Sequence, residues 1–129
     1  MGKGYLIDTN VFVKYIQEQL SEKGSELVDT IFDANDCRIS IINWIELLSW
    51  QTDQQTQKLV EDFIEIANEY ELSEMIANKT IIIRRQFKIK LPDAVIAATA
   101  MVHELILLLD NDRDFGKIAH LSYINPTKL

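Results

Sequence analysis

Cysteine, proline and glycine are scarce in this chain of 129 residues, and positive charge is in deficit. The one cysteine, Cys37, cannot form an internal disulfide, which favours a reducing cytoplasm. Two prolines and four glycines predict regular elements joined by short loops. Thirteen Lys and Arg against twenty Asp and Glu give a formal net charge of −7. That balance argues against a protein that coats nucleic acid by bulk charge.

Long hydrophobic runs are also missing from the sequence. No apolar run approaches the ~18–20 residues that span a bilayer, and the N-terminus lacks the apolar region of a signal peptide. We therefore expect a cytoplasmic protein without a membrane segment. The composition, 47% hydrophobic and 26% charged, is that of a folded globular protein, and the length predicts a single domain over residues 1–129.

The order of elements predicts an α/β fold. Apolar or alternating runs predict strands at 5–7, 37–41, 69–72, 105–109 and 121–124. Helical spacing and caps predict helices at 11–16, 21–32, a pair between 43 and 68, one over 73–88 and one over 94–103. The residues at 81–83 are all isoleucine and suit a strand equally well. Alternation of this kind is typical of a layered fold with a mainly parallel sheet, in which ligands bind beyond the carboxyl ends of the strands.

Several acidic residues occupy positions where that edge is expected. Asp8 follows the first strand, and Asp112 lies in the acidic segment after the fourth. Each also has an ordinary interpretation, as a helix cap or a solvated turn. Asp93 suits the positive end of a helix, and Glu46 lies in an apolar segment as a solvated edge or a cleft wall. Together the four carboxylates could form an all-oxygen cluster of charge −4. Mg²⁺ or Mn²⁺ would relieve the repulsion between them, and such a metal site suits phosphodiester hydrolysis.

One segment has the opposite charge. Residues 79–92 contain no acid and carry +5, from Lys79, Arg84, Arg85, Lys88 and Lys90. The rest of the chain therefore carries −7 − 5 = −12. The segment is either a solvated helix face or a patch that guides phosphates toward Asp93.

Four motifs in order resemble those of PIN-domain ribonucleases, and the VapC-like toxins of bacterial type II toxin–antitoxin pairs in particular. The motifs are YLIDTN at 5–10, WIEL at 44–47, KLPDAVIAATA at 90–100 and NDRDF at 111–115. They span almost the whole chain. The third motif is the most specific of the four, and their order and spacing add to it.

This resemblance implies a three-layer fold with a central, mainly parallel five-stranded sheet flanked by helices. It also implies a Mg²⁺- or Mn²⁺-dependent endoribonuclease, inhibited by a cognate antitoxin and commonly dimeric. Matched position by position, the motifs imply metal-binding and catalytic acids at Asp8, Glu46, Asp93 and Asp112. Thr9 or Asn10 would be an accessory contact, and the expected RNA-binding residues are Arg84, Arg85, Lys88 and Lys90.

One departure from the motif leaves the fourth acid open. Asp110 occupies a position where such toxins often carry threonine, so Asp110, Asp112 and Asp114 all compete for the role, and alignment favours Asp112. A phosphatase of the haloacid-dehalogenase type is disfavoured because it needs an aspartate where this chain has Asn10. The remaining alternatives are a non-catalytic PIN-fold module that binds RNA or protein, and a PIN nuclease of RNA processing without a toxin role.

Overall fold

The chain alternates strands and helices around one sheet. A computed structural model describes residues 4–129. Residues 1–3, part of the N-terminus that lacks the apolar region of a signal peptide, lie outside the described range. The strands are β1 (Tyr5–Ile7), β2 (Cys37–Ser40), β3 (Asn68–Tyr70), β4 (Ile106–Leu108) and β5 (Tyr123–Ile124). The helices are α1 (Thr9–Ile16), α2 (Glu22–Asp33), α3 (Ile41–Ser49), α4 (Gln54–Ile66), α5 (Glu74–Gln86), α6 (Leu91–Val102) and α7 (Asp112–Phe115).

The strand order creates a switch point beside β1. The order is β3-β2-β1-β4-β5, and every pairing is parallel. From β1 the chain adds β2 and β3 on one side of the sheet, and then β4 and β5 on the other side. In open α/β sheets, this reversal leaves a crevice at the carboxyl ends of the two central strands. Asp8 follows β1 there, and its backbone N–H donates to the carbonyl of Leu108 at the end of β4 (3.0 Å).

Two apolar clusters lie on opposite faces of the sheet and make three layers. Because side chains alternate along a strand, Leu6 and Leu107 face the cluster that contains α5 and α6. Ile7 and Leu108 face the cluster that contains residues of α1, α2 and α4. All four are at most 1% exposed. The expected three-layer α/β fold with a parallel five-stranded sheet is confirmed.

Local signals explain most element boundaries. The hydroxyl of Ser21 accepts from the amide of Gly24 (3.0 Å) at the start of α2, as the predicted helix there requires. Residues 81–83, which suit strand or helix by sequence, lie within α5. Pro92 is the second residue of α6, in the first turn, where proline is tolerated. None of the helices within 4–129 is long and apolar enough to cross a membrane.

Candidate functional site

Asp8 stands at a helix start without capping the helix. It precedes α1 with extended backbone, yet its side chain makes no capping hydrogen bond. Asp53 in the corresponding position before α4 behaves ordinarily and accepts from the amide of Thr56 (2.8 Å). The capping interpretation of the Asp8 side chain, open from the sequence, is therefore wrong, and the carboxylate is directed to other partners.

Asn43 is the residue that holds Asp8. It is fully buried in the first turn of α3, where its Oδ1 accepts from the hydroxyl and the amide of Ser40 (2.9 and 3.0 Å). Because these bonds fix the amide, Nδ2 points outward and donates to Asp8 Oδ1 (3.2 Å) and Thr9 Oγ1 (3.1 Å). The loop after β1 and the start of α3 are thus locked together by one side chain.

Thr9 extends this network to Glu46. Its hydroxyl, which accepts from Asn43, donates to Glu46 Oε1 (2.7 Å). Glu46 is exposed and lies one turn after Asn43 on α3, so both reach the same edge of the sheet. Thr9 therefore links α3 to the loop after β1 through two hydrogen bonds, and its accessory role in the site stays a prediction. Asn10 is exposed and lines, with Glu46 and Trp50, a neighbouring cavity of about 410 Å³.

Asp93 approaches from α6. Pro92 and the helix start place it in the first turn, where the helix dipole favours an anion. Partial burial raises its pKa, and the charges of Asp114 and Glu46 raise it further, while Lys90 opposes them. The elements that carry Glu46 and Asp93 therefore converge, although 47 positions of sequence separate the two residues.

The surroundings of Asp8 raise its pKa. Burial is the main cause that raises this pKa from 3.8 to about 7. The neighbouring carboxylates of Glu46, Asp110 and Asp93 add to the rise, in that order. We call these four residues together with Asp114 the acid cluster.

The three candidates for the fourth acid have different surroundings. Asp110 lies near Asp8 and pairs with Lys14 (2.7 Å). Asp112 accepts hydrogen bonds from Lys128 (2.5 Å) and from Asn125 (3.2 Å). The bond from Lys128 is the main cause that holds the pKa of Asp112 below its ordinary range. Asp112 is thus engaged by the C-terminal segment.

Asp114 is the candidate whose charge acts on Asp93. Its charge is the largest charge effect on the Asp93 pKa, after burial. Its carboxylate also accepts from Asn111 Nδ2 (2.9 Å), and its amide donates to Asn111 Oδ1 (3.1 Å), so the short helix α7 fixes its position. The assignment of Asp112 as the fourth ligand stays a prediction.

The donors of the acid cluster fit a hard divalent cation. All are carboxylates, and burial together with the neighbouring acids raises the pKa of both Asp8 and Asp93. Within residues 4–129, no group of three or more His, Cys, Asp or Glu side chains is arranged so that it could hold a metal ion as the side chains stand. Mg²⁺ is commonly held by one or two carboxylates and keeps several waters, so an open arrangement suits it.

The basic residues expected to guide RNA fall into two groups. Arg84, Lys88 and Lys90 line a cavity of about 490 Å³ that also contains Asp114. Arg85, exposed near the end of α5, is not among its lining residues. The sequence interpretation missed two further cations of this cavity, because Arg113 lies within the fourth motif and Lys117 just after it, both outside the basic run.

Asn43 was also missed as a site residue. The available signal was Ser40 followed three positions later by an amide, the spacing of a capping box. That pattern predicts the helix start but not that the spare amide hydrogens face Asp8.

Comparison with known proteins identifies the family. The family model described as PIN domain matches residues 5–121. A toxin–antitoxin complex from Klebsiella pneumoniae contains a chain 26% identical to this one, with a TM-score of 0.75 over 95% of this chain and 98% of that one.

Two further solved structures, at lower identity, share the fold. VapBC2 from Rickettsia felis bound to a promoter DNA fragment is 21% identical with a TM-score of 0.77, covering 94% of this chain and 97% of that one. FitAcB from Neisseria gonorrhoeae is 22% identical with a TM-score of 0.78, covering 97% and 99%. A search of curated proteins finds no match. The resemblance drawn from the four motifs is confirmed: the chain belongs to the PIN domain family.

Proposed function

We propose that this protein is a Mg²⁺- or Mn²⁺-dependent endoribonuclease and the toxin of a toxin–antitoxin pair. The observation that carries the proposal is the convergence of Asp8, Glu46 and Asp93 at the switch point of the sheet, in surroundings that raise the Asp8 pKa to about 7. Crowded carboxylates destabilise the folded state, and such locally unfavourable arrangements are typical of functional sites. Acids with a perturbed pKa in a cleft are a general mark of such sites.

The proposed ligands are Asp8, Glu46 and Asp93, with a fourth carboxylate from 110–114. A bound divalent ion would activate water and neutralise charge on the attacked phosphate, leaving a 5′-phosphate and a 3′-hydroxyl. The protein's own contribution is orientation. Asn43 holds Asp8 Oδ1, and Thr9 holds Glu46 Oε1, so these carboxylates keep their positions as substrate arrives.

The toxin role and the antitoxin partner are supported by the solved structures that share this fold. The Klebsiella pneumoniae neighbour is described as a toxin–antitoxin complex, so we propose a cognate antitoxin for this chain. We also propose a homodimer, since α3 exposes Trp44, Ile45 and Leu48 at 36%, 48% and 44%. A cytoplasmic location fits an RNA substrate. The three cations of the 79–92 segment that share one cavity support RNA further.

The test of activity uses purified protein and single-stranded RNA with Mg²⁺, Mn²⁺ or EDTA. We expect wild type to cleave only with metal, and Asp8→Asn and Asp93→Asn to lose about a hundredfold or more of the rate. Asp33→Asn removes an equal charge from the exposed end of α2 and serves as the control. Cleavage by Asp8→Asn at the wild-type rate would contradict the site.

Two further measurements separate the alternatives. Induced expression of wild type should arrest growth with loss of intact RNA, while Asp93→Asn should do neither. Metal-dependent cleavage in vitro without growth arrest would favour an RNA-processing nuclease. A titration that shows no Mg²⁺ or Mn²⁺ binding would favour the non-catalytic module.

A further inference from the structure

The start of α3 is a capping box whose third position is an asparagine. Ser40 is the N-cap, and its hydroxyl accepts from the amide of Asn43 (3.2 Å). In return, the Asn43 side chain accepts from the amide of Ser40 (3.0 Å). A capping box needs only an acceptor at this position, and glutamate or glutamine is the usual residue there. The cap itself therefore leaves the two hydrogens of the Asn43 amide without a role.

Ser40 decides which way the Asn43 amide points. A backbone N–H can only donate, so the side-chain atom opposite the Ser40 amide must be Oδ1 and not Nδ2. The hydroxyl of Ser40 donates a second hydrogen bond to the same Oδ1 (2.9 Å). Both residues are 0% exposed, so solvent does not compete for these partners. Nδ2 is therefore directed away from Ser40.

Each hydrogen of Asn43 Nδ2 has its own acceptor in the loop after β1. The acceptors are Asp8 Oδ1 (3.2 Å) and Thr9 Oγ1 (3.1 Å). An asparagine side chain has two acceptor sites and two donor hydrogens, and all four are used here. A rotation of the amide by half a turn would place Oδ1 against the Asp8 carboxylate and Nδ2 against the Ser40 N–H. Only the observed orientation satisfies every partner.

Thr9 continues the same direction of donation to Glu46. Because the Thr9 hydroxyl oxygen accepts from Asn43, its single proton is donated to Glu46 Oε1 (2.7 Å). Within residues 4–129, the Ser40 hydroxyl bonds only to Asn43 and has no contact of this kind with an acid. Any effect of Ser40 on the acid cluster must therefore pass through Asn43.

We infer that Ser40 is a positioning residue of the acid cluster, which acts through Asn43 to fix the carboxylates of Asp8 and Glu46 for a divalent cation. This inference rests on the proposed function. One oxygen of each carboxylate accepts a hydrogen bond from the network, which restricts rotation about the last side-chain bond. Removal of groups that orient metal ligands typically lowers metal affinity 10–100-fold.

Binding of Mn²⁺ in the absence of RNA tests the effect on the cation. Isothermal titration calorimetry with the full chain gives the Kd of wild type and of each variant. Ser40→Ala removes the hydroxyl but keeps the backbone N–H that orients Asn43, so we expect the Kd to rise about tenfold. Asn43→Ala removes both donors to the acid cluster network, and the Kd should rise about a hundredfold.

Ser73→Ala is the matched control for the loss of a helix cap. Ser73 caps α5 in the same way, since its hydroxyl accepts from the amide of Ile76 (3.2 Å), but the side chain at this third position is apolar. Both serine variants should lower the Tm by a similar amount. Only Ser40→Ala should weaken Mn²⁺ binding, and Ser40→Thr, which keeps a hydroxyl, should restore most of the affinity.

The orientation of the Asn43 amide is measured without any metal. In isotope-labelled protein in EDTA, the NH₂ resonances of Asn43 should exchange slowly with water, because both hydrogens are bonded and buried. Ser40→Ala should accelerate this exchange about five- to tenfold, the equivalent of one net hydrogen bond. Ser73→Ala should leave it unchanged.

The outcomes distinguish this inference from the proposed function. The role of Ser40 would be overturned by an unchanged Mn²⁺ Kd or amide exchange in Ser40→Ala. An equal loss of affinity in Ser73→Ala, or a folded Ser40→Thr that binds as weakly as Ser40→Ala, would overturn it too. Wild type that binds Mn²⁺ but cleaves no RNA would overturn only the proposed function. Wild type that binds no Mn²⁺ would overturn both.

Discussion

Asp112 and Asp114 are two positions apart, yet their carboxylates face different parts of the molecule. Asp112 pairs with Lys128 and Asn125 of the C-terminal segment, whereas the charge of Asp114 helps to raise the pKa of Asp93. Sequence alignment alone favours Asp112 for the metal. The local charges favour Asp114, because its negative charge is already part of what raises the Asp93 pKa.

We therefore predict that Asp114→Asn impairs metal use more than Asp112→Asn does. Removing a carboxylate that faces the ion should raise the Mg²⁺ concentration for half-maximal RNA cleavage by about 10–100-fold. Asp112→Asn should change it only a few-fold, since a metal would first have to displace Lys128. The measurement is the cleavage rate across a Mg²⁺ titration, with thermal unfolding to confirm that both variants are folded. The opposite ranking would restore Asp112 as the fourth ligand.

At the scale of elements, the C-terminal segment is bound to the start of α2. The carbonyl of Pro126 accepts from the hydroxyl and the amide of Ser21 (2.9 and 3.3 Å). Gly24 leaves room for this contact, because a Cβ at that position would lie 1.8 Å from the same carbonyl oxygen. The contact holds the segment that presents Lys128 to Asp112.

Gly24→Ala should accordingly destabilise the protein. Alanine normally stabilises a helix by about 0.5–1 kcal/mol over glycine, so a loss here would have a tertiary cause. We expect the free energy of unfolding to fall by about 1–3 kcal/mol, because the backbone of Pro126 must move. Urea denaturation measures this, with Lys23→Ala on the same helix as the exposed control. A gain in stability with Gly24→Ala would show that the segment leaves α2 at little cost.

The elements that the sequence predicts are those with a local cause. The apolar runs at 5–7 and 105–109, and the helix after Ser21, correspond to β1, β4 and α2 because their patterns need no distant partner. Helix α7 was interpreted as part of a loop, since four residues are too few for a periodic pattern. The predicted strand at 69–72 is β3 at Asn68–Tyr70, where pairing with β2 decides the limits.

The candidate site also has a part that the sequence predicts and a part that depends on tertiary contacts. The rule for parallel sheets predicts that Asp8 and the acids after the fourth strand lie at one edge, and the motifs add Glu46, Asp93 and Asp112. In the structure the charges of Glu46, Asp110 and Asp93 act on Asp8, whereas Asp112 pairs with Lys128. The catalytic roles of these residues stay a prediction. The role of Asn43 depends on how α3 lies against the loop after β1, and that of Lys128 on the path of the C-terminal segment. Both are tertiary facts without a local signal.

At the scale of the whole molecule, the sheet concentrates negative charge where its strand order reverses. Asp8 after β1 and Asp110 after β4 follow neighbouring parallel strands, so the topology itself places these carboxylates side by side. The net charge of −7 is thus unevenly distributed. The acid cluster lies at the carboxyl edge, and a cavity beside it is lined by Arg84, Lys88, Lys90, Arg113 and Lys117. An acidic protein of this design is compatible with an RNA substrate once a cation neutralises the cluster.

The same crowding makes the stability of the metal-free protein depend on pH. In the unfolded chain Asp8 ionises near its ordinary pKa of 3.8, but in the folded protein only near 7. Between these values the folded state holds a proton that the unfolded state has lost, so stability falls as pH rises and levels off above about 7. The interval corresponds to an upper limit of about 4 kcal/mol, and the raised pKa of Asp93 acts in the same direction.

Asp8→Asn should therefore be more stable than wild type at about pH 8 in EDTA, although it is expected to be inactive. The two should converge below about pH 3, where Asp8 is mostly neutral in both states. Saturating Mg²⁺ should raise the wild-type free energy of unfolding at about pH 8, by about 2.7 kcal/mol at a hundred times Kd, and have little effect on Asp8→Asn. Urea denaturation followed by circular dichroism measures all of these values, and Asp33→Asn should behave as wild type throughout. Equal stability of wild type and Asp8→Asn at about pH 8 in EDTA would mean that the Asp8 carboxylate is not strained, and the case for a cation at this edge would lose its physical basis.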